Sequence, residues 1–171
     1  MSVTTGSTGV DGGLFREAMA GVCAPVSIVT TLHDGVAHGT TVSAFASLSA
    51  DPPLVSVALD TGSRLPARVR LSGRLGINVL TREHAGLALA FAGKGDRQVR
   101  QLEWSLEDRL PRLPGAGWLA CTVADLVRGG DHVVAFAQAT SAVPRLAEPL
   151  TYHNRAFGTH LPQQVGREEK A

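Results

Sequence analysis

Residues Gly39 to Leu54 read GTTVSAFASLSADPPL, a run in which five small hydroxyl side chains are interleaved with apolar ones before a Pro-Pro pair. Thr40, Thr41, Ser43, Ser47 and Ser49 are more donors than an ordinary strand face needs, so the pattern predicts acceptor oxygens lying against them. As one extended strand, Thr41, Ser43, Phe45 and Ser47 point one way and Thr40, Val42, Ala44 and Ala46 the other. One face is then hydroxyl-rich and partly aromatic, which suits a planar, phosphorylated ligand whose oxygens want donors and whose ring wants an apolar wall.

On either side of this run the punctuation is that of hairpins. Val26 to Leu32 is rich in β-branched residues and predicts a strand, joined to the hydroxyl-rich one through Asp34-Gly35, a dipeptide suited to the positive φ of a tight turn. Leu54 to Asp60 predicts the next strand, Arg74 to Leu80 another, and Ala120 to Arg128 with His132 to Pro144 a hairpin around Gly129-Gly130. Short helices are expected at Leu14 to Ala20, at Arg64 to Ser72 with Ser63 as cap, and at Glu83 to Ala92 with Thr81 as cap. The order predicts a mainly β chain with short helices, closed or nearly closed as an antiparallel barrel.

The bulk numbers bound the function. The chain has 171 residues, 44% hydrophobic and 18% charged, and a formal net charge of +1. That is one domain with no field to gather nucleic acid, and no apolar stretch is long enough to span a bilayer. Residues 1–12 and 161–171 are expected to be loose polar tails flanking a domain over 13–160. Cys23 and Cys121 lack metal-ligand spacing and are expected to be small buried hydrophobes in a reducing, cytoplasmic setting. No metal site is expected.

Taken together and in order, FREAMAG at Phe15 to Gly21, SIVTT at Ser27 to Thr31, GTTVSAFASLSADPPL, SGRLGINVL at Ser72 to Leu80, FAGKGDR at Phe91 to Arg97, GDH at Gly130 to His132 and PLTYHNRAFG at Pro149 to Gly158 resemble the flavin reductase-like proteins. The resemblance implies an antiparallel split β-barrel of the FMN-binding type. It also implies an NAD(P)H:flavin oxidoreductase that reduces FMN or FAD, a homodimer, and a transient link to a flavin-dependent monooxygenase that receives the reduced flavin.

Carried over position by position, the resemblance implies that Thr41, Val42, Ser43, Ala44 and Phe45 lie along the flavin ring and ribityl chain, with Ser47 toward the ribityl or phosphate end. Ser63 and Arg97 fall where the family holds the phosphate, Asn78 and Val79 beside the ring, and His132 and Tyr152 on the nicotinamide side. No G-x-G-x-x-G opens a helix, so NADH or NADPH is expected to fold against the flavin instead of binding a Rossmann crevice. In that arrangement His132 acts as a stacking or hydrogen-bonding wall, since hydride transfer asks chiefly for positioning. Two other readings stay open on the sequence: a flavin-binding electron carrier or store, and a split-barrel oxidoreductase with a different cofactor.

Overall fold

The computed structural model describes residues 9–92 and 104–163. Its strands are β1 (Ala24–Pro25), β2 (Ser27–His33), β3 (Val36–Val42), β4 (Phe45–Ala50), β5 (Pro53–Asp60), β6 (Arg74–Val79), β7 (Ser105–Glu107), β8 (Leu110–Arg112), β9 (Gly117–Gly129), β10 (His132–Val143), β11 (Thr151–His153) and β12 (Ala156–Gly158). The helices are α1 (Gly12–Ala20), α2 (Leu65–Ser72) and α3 (Ala85–Ala92), the last entered through a short 3-10 turn at Arg82–His84. None of the described helices is long and apolar enough to cross a membrane.

Seven strands form one antiparallel sheet in the order β3-β2-β6-β9-β10-β5-β4. Its two outermost strands are β3 and β4, which are consecutive in the chain and separated only by Ser43 and Ala44. Two residues cannot span an open seven-stranded sheet, whose rims would lie roughly 28 Å apart at the usual strand spacing. The sheet therefore curls until its rims meet, and the hydroxyl-rich run is the meeting line. This closure is the split barrel expected from the sequence.

The barrel interior shows the closure in its packing. Val29, Val42, Val55, Val57, Leu59, Leu75, Ile77, Cys121, Ala135 and Ala137, from six strands, form one buried cluster, and Phe45 of β4 packs against it. Helix α2 plugs one end with Leu65 and Val69. Each such aliphatic side chain taken out of water stabilises the fold by about 1.5–3 kcal/mol before entropy is counted. A second cluster lies outside the barrel, where Ile28, Leu80, Ala88, Phe91, Leu113 and Leu150 join β2 and β6 to α3. Strand β2 is thus covered on both faces, and its hydroxyls are satisfied internally: Ser27 donates to the Val42 carbonyl, Thr30 to Pro111 and Thr31 to Arg74.

Several expectations need correction. The run after Gly39 is two strands, because Ser43 and Ala44 leave extended pairing where the chain passes from one rim to the other, and the single alternation does not hold across them. Val42 and Phe45 consequently both pack on the barrel interior. Ser63 does not cap α2: its hydroxyl donates to the Asp60 carbonyl at 2.8 Å, and the helix starts after Arg64 with no side-chain cap. Asp60 outcompetes it by accepting the Gly62 N–H at 2.7 Å and folding residues 60–63 into a turn. Helix α1 begins at Gly12, within the expected tail, because the Asp11 carboxylate accepts from the N–H groups of Gly13 and Leu14. Cys121 is buried as expected, but Cys23 is exposed.

Candidate functional site

Where the barrel rims meet, a pocket of about 320 Å³ opens between Val26, Thr41, Ser43, Leu89, Ala92, Tyr152, Arg155 and Phe157. Four elements or junctions build it: the end of β3, the outward face of α3, the residue linking β1 to β2, and the β11–β12 hairpin. Chain order explains the hairpin's place. Ala24 pairs with Tyr152 and Pro25 with Thr151, and the Asn154 N–H donates to the Ala20 carbonyl at 2.8 Å. The hairpin is thus fastened to both α1 and β1. Within it Tyr152 and Phe157 stand opposite each other, with ring centroids 5.4 Å apart and an edge-to-face angle of 61°.

The hydroxyls divide into two groups. Thr40 and Thr41 donate to the Phe91 and Ala88 carbonyls of α3, at 3.4 and 2.7 Å, so part of the acceptor demand read from the sequence is met by the protein itself. Ser43 and Ser47 are exposed. Ala44 keeps one backbone bond, its carbonyl accepting from the Ala58 N–H at 2.9 Å. On the opposite side of β5, two residues further along, Asp60 pairs with His132. Ala44 and His132 therefore flank the same end of β5.

At that end Thr61 donates from both its N–H and its hydroxyl to the Asp131 carbonyl, at 3.0 and 2.7 Å, tying the loop that carries Ser63 to the turn that carries His132. His132 Nδ1 lies 2.7 Å from the Asp131 carboxylate, and this hydrogen bond holds the Asp131 carboxyl below the usual aspartate range.

The remaining expected positions scatter. Asn78 is fully buried, with Nδ2 donating to the Ile28 carbonyl at 3.1 Å and Oδ1 accepting from the Leu113 N–H at 2.7 Å, so its amide is spent on backbone. This geometry uses the asparagine to stitch β2 and β6 to the segment after β8. Val79 borders a different, largely apolar pocket of about 430 Å³ with Trp118, Val143 and Pro144. Arg97 lies outside the described residues. The structure thus brings Thr41, Ser43 and Tyr152 into one pocket and sets Ala44, Ser63 and His132 around one end of β5. Leu89, Arg155 and Phe157 were missed by the sequence reading, although PLTYHNRAFG contains two of them; Asn154-Arg155 lacks the glycine that marks a hairpin turn.

The chemistry of the pocket is that of a ring site: an apolar wall from Val26, Leu89 and Phe157, a phenol at Tyr152, a free hydroxyl edge at Ser43 and a cation at Arg155. A flavin fits this donor set, which offers apolar surface for a ring and donors for a polar edge.

Known proteins resemble this chain along most of its length. The family model described as "Flavin reductase like domain" matches residues 19–160. The reductase component of 4-nitrophenol 4-monooxygenase/4-nitrocatechol 2-monooxygenase from Rhodococcus opacus is 34% identical over 90% of this chain and 83% of its own. An NADH-dependent flavin reductase from Rhodococcus sp. is 31% identical over 90% of this chain and 88% of its own. Among solved structures, the flavin reductase PheA2 superposes with a TM-score of 0.84 at 27% identity, covering 90% of this chain and all of that one. From barrel closure to sequence match, these findings converge: the chain belongs to the flavin reductase-like family.

Proposed function

We propose that this protein is an NAD(P)H:flavin oxidoreductase that reduces FMN or FAD and releases the reduced flavin to a partner monooxygenase. The observation that carries the reading is the pocket at the meeting of the barrel rims, in a chain whose relatives are named as reductase components of monooxygenases and as NADH-dependent flavin reductases. Those names favour NADH as the donor.

A flavin held by the rim residues would supply the hydride-accepting chemistry, with a dihydronicotinamide as the donor. The protein's part is placement. In this reading Val42, Ser43, Ala44 and Phe45 run along the ring, Ser43 and the local N–H groups facing the edge that gains negative charge. Ser47, Ser63 and Arg97 serve the ribityl and phosphate end. Tyr152 and His132 border the side left for the nicotinamide.

Helix α1 buries none of its residues, and Leu14, Phe15 and Met19 are exposed on it. That apolar surface supports a homodimer, checked by light scattering on the eluting peak. A cytoplasmic setting and a single functional unit over 13–160 complete the proposal. The test of the activity is NADH oxidation followed by absorbance with FMN, then FAD. Flavin-dependent turnover is expected, and none with either flavin and either nicotinamide nucleotide refutes the reading.

A further inference from the structure

We infer that Arg155 is the residue that recognises the pyrophosphate of the nicotinamide dinucleotide, and that Glu17 is its internal competitor. The inference rests on the proposed activity. Arg155 is the one cationic side chain bordering the rim pocket among the described residues, and the carboxylate beside it, Glu17, is not among the residues that line that pocket. It sits on the same hairpin as Tyr152, on the side proposed for the nicotinamide, whereas the flavin phosphate is assigned to Ser63 at the end of β5. With FMN, whose single phosphate is assigned to Ser63, an anion that reaches the hairpin belongs to the other substrate.

Two further observations converge on this side chain. Arg155 has φ 62° at the second position of a two-residue turn, after Asn154 at 47°. Glycine occupies such a position without strain, as Gly35 does with φ 72° in the β2–β3 turn, so an arginine here is held at a conformational cost, as Arg109 is with φ 62° in the β7–β8 turn. The guanidinium is also already engaged in anion recognition: Nη2 lies 2.5 Å from Glu17 Oε1, with the two side chains 59% and 67% exposed. An exposed pair of this kind is weak. A pyrophosphate, which offers the planar fork two oxygens and more charge, displaces the single carboxylate.

The experiment compares NADH with N-benzyl-dihydronicotinamide, a hydride donor without phosphate, in steady-state flavin reduction. For Arg155→Gly the ratio of kcat/KM for NADH to that for the benzyl donor is expected to fall about tenfold, mostly through KM for NADH. Because glycine suits the turn, its melting temperature should stay near that of the wild type, and Arg155→Lys should fall between the two. Glu17→Gln should lower KM for NADH about two- to threefold by removing the competitor. An unchanged donor ratio in both Arg155 variants, or an equal loss with both donors, overturns the inference while leaving the reductase reading intact. A wild-type protein idle with NADH overturns both.

Discussion

The indole of Trp118 lies over Gly76, so close that a β-carbon on residue 76 would stand 2.3 Å from Cη2 and 2.6 Å from Cζ3. The same β-carbon would meet Thr30 Oγ1 at 2.8 Å, and Trp118 is 1% exposed, so nothing there can yield cheaply. Gly76→Ala should therefore destabilise the protein by about 2–3 kcal/mol, read as a lower denaturant midpoint. A wild-type midpoint would mean that the indole does not occupy this place.

Asn78 predicts a separation of stability from binding. Asn78→Leu leaves the Leu113 N–H without its buried acceptor and should cost about 2–3 kcal/mol in denaturant unfolding. Flavin affinity of the molecules that remain folded, measured by quenching of flavin fluorescence, should not change. A stable variant that had lost flavin would return the asparagine to the ligand.

Ser43 should behave in the opposite way. It is exposed and borders the rim pocket, so Ser43→Ala is expected to weaken flavin binding about five- to tenfold through the loss of one donor. Its unfolding free energy should stay within about 0.5 kcal/mol of the wild type. Equal affinity in the two proteins would remove this hydroxyl from the site.

The Asp131–His132 contact has a pH signature. The hydrogen bond to His132, followed by its charge, lowers the Asp131 carboxyl, so the folded state is favoured above the ordinary aspartate value and loses that advantage as pH falls through the lowered one. Carbon-detected titration should place the Asp131 midpoint below that of an unperturbed aspartate, at about 3.9. Replacing His132 with Gln should move it upward. A midpoint indifferent to the substitution would show that the ring does not face the carboxylate in solution.

The two cysteines should react differently. Burial alone pushes the Cys121 thiol up to about 11, whereas Cys23 is exposed. A thiol reagent at neutral pH should modify Cys23 promptly and Cys121 only in denaturant. Because the folded thiol resists ionisation, stability is retained below the ordinary thiol range and declines as pH climbs from there toward about 11. Prompt reaction of both cysteines in the native protein would contradict the barrel interior described for Cys121.

Local chemistry made much of this fold legible. Asp34-Gly35 and the glycines after Arg128 announced their hairpins, although the second turn falls on Gly130-Asp131, one residue later than the glycine pair suggested. The passage at Ser43-Ala44 carried no glycine or proline, because what breaks the strand there is the closure of the whole sheet. Ser63 and Asp60 are both residues that fold local backbone, and only the competition between them decided the start of α2. Asn78 enters through the family resemblance, and its buried backbone partner, Leu113, 35 positions away, is not legible in the sequence. Of the proposed site, the hydroxyl edge and Tyr152 could be found from the sequence. Arg155 could not, since its turn imitates no common turn signature.

The two-residue link at Ser43-Ala44 acts as a buckle on a hoop. Each of the other neighbouring strand pairs in the sheet would survive its loosening, but Ser43 would lose its fixed place at the edge of the cavity. Under the proposed function, a guest seated against Ser43 would tighten that fastening, so nucleotide uptake and the integrity of the cylinder would be governed by one shared equilibrium.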